Sequence, residues 1–296
     1  MAFPKRLLLI GANGLLGRMV QESIPAHYDL ATADLPKIDF LRPDTVAEAL
    51  RKMEPEIVIN CAAHTAVDAC ESEEAAARRI NGDGPGLLAA LARETRSVLV
   101  HISSDYVFDG DSAVPYREED PPAPRCAYGR SKLAGERAIL ESGLERFFIV
   151  RTSWLYGPHG KNFVETVLRL AAEREELRIV SDQVGSPTLT DDLALALFRL
   201  LETDRFGIYH FSNEGSCSWH EFASAIVEGA RARGQILKVR EIKPIRTDEY
   251  PLPARRPPFS LLAKDKYRSA TGCEVPHWRV ALNRYLDRRF GSPEGK

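Results

Sequence analysis

The run Leu7-Leu8-Leu9-Ile10 passes without a break into Gly11-Ala12-Asn13-Gly14-Leu15-Leu16-Gly17, and this junction limits the available folds more than any other stretch of the chain. A short, continuously apolar run suits a strand buried on both faces, as in a parallel sheet. Three glycines spaced G-x-x-G-x-x-G let the backbone turn tightly into a helix opening near Leu15, whose first N–H groups can meet an anion such as a pyrophosphate. The spacing departs from the more familiar G-x-G-x-x-G, and a glycine trio also serves as an ordinary strand–helix turn. The residues that follow decide between the two.

Strand-length and helix-period segments alternate behind the loop. Strands are predicted at 29–33, 57–59 (ending at Asn60), 98–102 and 147–150, and helices at 46–53, 81–94 and 128–140. Such alternation predicts an α/β fold, a doubly wound, Rossmann-type parallel sheet with helices on both faces. Past Thr152 the pattern loosens. Helices are expected at 162–173 and 218–233, the second opened by Ser218 with Glu221 three residues on, a capping-box spacing. The proline-rich stretch 244–258 reads as an ordered loop or irregular crossing. The expected division is a dinucleotide-binding domain over 1–153, rejoined by about 178–214, with a smaller, partly interleaved substrate-binding region formed by 154–177 and 215–296.

Charge is nearly balanced, 40 Lys and Arg against 42 Asp and Glu, with the signs interspersed, so a nucleic-acid partner has no support. Five scattered cysteines without a C-x-x-C pair fit a reduced, cytoplasmic protein better than a disulfide framework or zinc site. No stretch approaches the ~18 apolar residues of a membrane span. No carboxylate or histidine cluster compels a metal, so none is assigned, and a monomer and a homodimer both remain open.

Within this frame several polar residues fall where a dinucleotide would need them. Asp34 stands about twenty residues past the loop, near the end of the second strand, where an acid grips an adenosine ribose and repels a 2′-phosphate. It could equally be a loop aspartate. Asp39 and Phe40 follow, the carboxylate placed to accept from an adenine amino group. Asn60-Cys61-Ala62-Ala63 ends the next strand in small residues, as expected where a cofactor lies against the sheet edge. Downstream, Ser104 closes an apolar run, and Tyr128 and Lys132 are four residues apart on one helix face. A cation beside the phenol is expected to pull its pKa down from about 10. His64 and Asp68 share the same spacing, but a strand-end histidine more often packs than catalyses.

These residues carry a family pattern. The chain resembles the extended short-chain dehydrogenase/reductases and, within them, the dTDP-4-dehydrorhamnose reductases. The motifs are Ala62-Ala63-His64-Thr65-Ala66-Val67-Asp68, Ser103-Ser104-Asp105-Tyr106-Val107-Phe108, Tyr128-Gly129-Arg130-Ser131-Lys132, Arg151-Thr152-Ser153-Trp154 and Ala254-Arg255-Arg256-Pro257. The resemblance implies NADH or NADPH as cofactor, lying against Gly11, Asn13, Gly14, Leu15, Gly17, Asp34, Asp39, Phe40, Ala62, Ala63 and Thr65. It implies a nucleotide-sugar ketone as substrate, met by Ser104, Asp105 and Trp154. Tyr128 would donate the proton, Lys132 would bind the nicotinamide ribose and tune the phenol, and Ser104, where many relatives have threonine, would hold the carbonyl oxygen. Arg255 and Arg256, paired in a proline-stiffened loop, suit a pyrophosphate as well as they suit open surface. Two other functions remain open: a reductase of another nucleotide-linked 4-keto sugar, and a non-catalytic subunit similar to the regulatory subunit of methionine adenosyltransferase.

Overall fold

The structure, a computed structural model, describes residues 4–292. Six strands form one parallel sheet: β1 (Lys5–Ile10), β2 (Tyr28–Ala33), β3 (Ile57–Asn60), β4 (Val98–Ser104), β5 (Phe147–Thr152) and, returning late in the chain, Gly207–His210. The order across the sheet is β2-β1-β3-β4-β5 followed by Gly207–His210. β1 and β3 are buried along their paired lengths because helices cover both faces, which is why they read as unbroken apolar runs. Side chains alternate between the faces. Leu7 and Leu9 pack with Leu16, Val20, Leu193 and Leu197 from the Leu15–Glu22 and Thr190–Leu201 helices. Leu8 and Ile10 point the other way, onto Val46, Leu50, Leu88 and Ile139 from the Pro43–Met53, Gly84–Thr95 and Ala127–Glu141 helices.

The chain runs from β1 outward to β2 and then crosses back to β3 on the far side of β1. The connections therefore diverge between β1 and β3, and a crevice opens at the carboxyl ends of these strands, the usual ligand position in such sheets.

Two segments differ from the sequence reading. The helix expected at 81–94 begins earlier, as Glu74–Arg78, and passes through a π turn at Arg79–Asp83 before Gly84–Thr95. The wide turn holds Asn81 inward, where it accepts from His64 N at 2.7 Å and donates to Ser131 Oγ at 3.0 Å. Pro244 lies not in a loop but in the strand Glu241–Ile245, opposite Ile179 of Glu176–Val180. A two-stranded ribbon has open edges, so a residue without an N–H is tolerated there.

A second core joins the Phe163–Glu173, Trp219–Ala232 and Trp278–Phe290 helices through Val164, Phe222, Ile226, Trp278, Leu282 and Tyr156. The Trp219–Ala232 helix opens with the capping box read from sequence: Glu221 N donates to Ser218 Oγ at 3.1 Å and Ser218 N to Glu221 Oε2 at 2.7 Å. Among the described residues no helix is long and apolar enough to cross a membrane.

Candidate active site

A cavity of about 830 Å³ occupies the crevice. Its floor is the glycine loop, where Gly11, Asn13, Gly14, Leu15 and Gly17 line it. Gly11 sits at φ +79°, and a Cβ there would lie 2.5 Å from Ala62 N. A Cβ at Gly17 would run into the carbonyl oxygen of Gly11. Loop, helix and β3 thus approach one another as closely as bare backbone allows, leaving a cradle that a side chain would fill. Ala62, Ala63 and Thr65 form the wall that follows β3.

Asp34 and Asp39 mark one end. Asp34 accepts from Asn13 N and Leu35 N, both at 2.9 Å, and so fastens the loop to the end of β2. Asp39 accepts from Arg42 Nε and Leu41 N, both at 2.9 Å. The Arg42 guanidinium, aided by the Leu41 N–H, holds the Asp39 carboxyl below the usual carboxylate range. Phe40 is buried between this end of the cavity and the sheet-covering core.

The opposite end carries Ser104, Asp105, Tyr128, Lys132 and Trp154. Tyr128 stands in the first turn of the Ala127–Glu141 helix, with Tyr106 edge-on at 5.5 Å. Burial pushes its phenol above the ordinary value, and hydrogen bonding to Ser104 works against that rise. This reverses the expectation that Lys132 lowers it. The Lys132 ammonium turns away, donating to Ile102 O at 2.7 Å and meeting His101 Nε2 at 3.4 Å, and burial lowers its own pKa to about 8. Asp105 is buried as well. Its Oδ1 accepts from Ser104 Oγ at 2.9 Å, and burial raises its pKa to about 6 against the opposing hydrogen bonds of Ser260 and Ser104.

Arg255 and Arg256 are not part of this cavity. They line a neighbouring one of about 960 Å³, with Phe163, Arg178, Gln183, Trp219 and Thr247. Arg256 forks onto Asp68, at 2.8 Å to Oδ1 and 2.7 Å to Oδ2, which clips the 246–258 loop to the segment after β3. His64 is held by Glu73 at 2.7 Å, a packed and bonded histidine. Among the described residues no group of three His, Cys, Asp or Glu is placed to hold a metal.

Sequence reasoning named Asn60 and Arg151 only within motifs and gave no individual role to them or to Asn81, His101 and Glu136, all buried polar residues behind the cavity. The one local signal was His101, a polar residue inside the otherwise apolar stretch of β4 from Val98 to Ile102.

A family model described as the RmlD substrate binding domain matches residues 5–290. The dTDP-4-dehydrorhamnose reductase of Burkholderia thailandensis is 42% identical over 288 residues, covering 94% of this chain and 96% of that protein. The Escherichia coli K12 protein of the same name is 39% identical over 293 residues, 96% of this chain and 98% of its own length. The crystal structure of dTDP-4-dehydrorhamnose reductase from Bacillus anthracis in complex with NADP superposes with a TM-score of 0.92 at 40% identity, covering 97% of this chain and all of that one. With the crevice between β1 and β3, the glycine cradle and a match that runs almost end to end, the chain belongs to the dTDP-4-dehydrorhamnose reductase family of extended short-chain dehydrogenase/reductases.

Proposed function

We propose that this protein reduces dTDP-4-dehydro-L-rhamnose to dTDP-L-rhamnose with NADPH or NADH. The observation that carries the reading is that one continuous cavity holds the Gly11–Ala62 cradle at one end and Ser104 with Tyr128 at the other. The cradle would hold the pyrophosphate of a dinucleotide, with Asp34, Asp39 and Phe40 toward its adenosine and Tyr128 toward its reactive end. Bound nicotinamide supplies the hydride. The chain's own residues do the rest.

Tyr128 gives its proton to the oxygen that becomes an alkoxide, a step worth about 10²- to 10⁴-fold in rate. The Ser104 hydroxyl, which donates to Asp105 Oδ1 in the free protein, would turn its one proton to the same oxygen and oppose the build-up of charge there. Lys132 and Tyr128 would hold the nicotinamide ribose of the bound cofactor. The sugar would rest against Trp154 and Asp105, both of which line the cavity. The nucleotide would enter the second cavity, where Trp219 offers a flat apolar face and Arg255, beside an Arg256 already forked onto Asp68, brings positive charge for the pyrophosphate. This assigns substrate binding to 154–177 and 215–296, and cofactor binding to 1–153 with 178–214. The free thiols of all five cysteines support a reducing, cytoplasmic setting.

The test is to mix the purified protein with NADPH or NADH and the 4-keto sugar nucleotide and follow loss of the reduced nicotinamide absorbance. Turnover is expected, and Tyr128→Phe should lower kcat at least about 100-fold while cofactor affinity holds. No turnover with either cofactor would remove the enzymatic reading and leave a binding subunit as the alternative.

A further inference from the structure

His101 interrupts the apolar run of β4, and its ring is buried directly behind Lys132. Its surroundings fix which ring nitrogen carries the proton. Ala62 N donates to Asn60 Oδ1 at 3.1 Å, so the NH₂ end of that amide is the one turned to His101 Nδ1, also at 3.1 Å. An amide nitrogen only donates, so Nδ1 accepts. A buried neutral ring that accepts at Nδ1 carries its proton on Nε2, and that N–H points at Lys132 Nζ, 3.4 Å away. An ammonium has three donors and no lone pair, whereas a neutral amine has one to offer. The polarity therefore runs one way, from Ala62 through Asn60 and His101 to Lys132, and ends with Lys132 donating to Ile102 O at 2.7 Å.

We propose that Asn60 and His101 are positioning residues whose fixed hydrogen-bond polarity favours the neutral amine of Lys132 in the free protein and so sets the pH at which it exchanges its proton. The inference builds on Lys132 belonging to the reductive site. Burial acts in the same direction, lowering Lys132 to about 8 and His101 well below the histidine range. Two groups oppose it. Glu136, one turn along the same helix, favours the charged lysine, as does Cys61 after β3. The Glu136 carboxylate is already engaged by Arg151 of β5 at 2.7 and 3.0 Å and by Ser103 at 2.5 Å, which limits its pull. Tyr128, one turn earlier on the same helix, is a neutral phenol held protonated by burial and adds no charge.

The experiment is an NMR titration of the free protein labelled at the lysine Cε and Nζ and at the imidazole nitrogens, with the Lys132 signal assigned by its loss in Lys132→Arg. In the native protein His101 should show a pyrrole-type Nε2 and a pyridine-type Nδ1. The opposite tautomer, or an imidazolium, overturns the proposal without any further variant. In Asn60→Asp both carboxylate oxygens accept, so His101 must donate through Nδ1 and turn a lone pair to Lys132. The Lys132 midpoint should then rise by about one pH unit, tenfold in proton affinity. Asn60→Ala frees the tautomer without adding charge and should raise the midpoint less. A rise in Asn60→Asp with none in Asn60→Ala is a bare charge effect and overturns the relay, as does an unchanged midpoint in both. Because the titration needs neither cofactor nor turnover, its failure is separable from failure of the reductase reading.

Discussion

Trp154 and Trp219 lie face to face, ring centroids 3.5 Å apart and planes 9° from parallel, with Trp154 lining the cavity that holds Ser104 and Tyr128 and Trp219 the neighbouring one. The pair is the partition between the two chambers. Trp154 leaves β5 at φ +49°, a left-handed conformation that a bulky residue adopts only when its surroundings over-determine it. Trp219 is one such constraint. Gly185 is another, since a Cβ there would lie 2.8 Å from Trp154 Cε2 and 2.9 Å from Ser260 Oγ.

Gly185→Ala should therefore push Trp154 off its partner without touching the glycine cradle. An aromatic pair of this kind is worth roughly 0.5–1.5 kcal/mol beyond area burial, so KM for the sugar nucleotide should rise up to about tenfold. Cofactor affinity should not change. Steady-state kinetics alongside a cofactor titration check both halves, and an unaltered KM would show that the stack does not position substrate.

Gly11→Ala tests the other chamber. The added methyl meets Ala62 backbone, which cannot swing aside as a side chain could, and φ +79° is unfavourable for alanine. A strained residue of this sort costs about 1–3 kcal/mol. Cofactor binding, followed by quenching of intrinsic fluorescence, should weaken by about 5- to 150-fold, while circular dichroism stays that of the native fold. Native affinity in the variant would mean that the dinucleotide does not lie on this loop.

The glycine loop was legible in the sequence because everything that defines it is local: an apolar strand, three glycines and a helix start within eleven residues of one another. The shared face of Tyr128 and Lys132 was legible for the same reason, since i and i+4 meet on any helix. Where the Lys132 head group goes was not, because Ile102 O and His101 reach it from β4, about thirty residues earlier. The partner of Arg256 was hidden in the same way, with Asp68 lying 188 residues away. Pro244 looked like loop chemistry because its pairing with Glu176–Val180 is non-local, and strand propensity carries no record of an open ribbon edge.

On the inner side of the Ala127–Glu141 helix, Glu136 forms an ion pair with Arg151 of β5, with side chains 1% and 3% exposed. Ser103 donates to the same carboxylate, and Arg151 Nη1 also meets His210 Nε2 at 3.3 Å. Breaking such a pair from one side strands a buried charge and costs about 3–5 kcal/mol. Glu136→Ala should lose stability of that size in urea unfolding, with Arg151→Ala losing a similar amount. A double variant with apolar partners of matched volume should recover much of it. Single losses below about 1 kcal/mol, the range of exposed pairs, would show that the network is hydrated rather than sealed.

Asp105 should leave its mark on the pH dependence of stability. Its carboxyl titrates near 3.8 when unfolded and is raised to about 6 in the fold by burial. Between those values the folded state binds more protons than the unfolded one, so this residue's contribution falls as pH rises from about 4 to 6 and stays low above that. A shift of about two units corresponds to about 3 kcal/mol of destabilisation at pH 8. Asp105→Asn keeps the shape without the charge, so it should unfold at a higher temperature than the native chain at pH 8 and at nearly the same temperature at pH 4. A gain that does not vary with pH would trace to packing instead of ionisation. Asp105 lines the cavity, and the same substitution removes its charge there, so the stabilised variant should bind the sugar nucleotide more weakly. That opposition is the one expected where a buried charge is kept for its ligand at the expense of the fold.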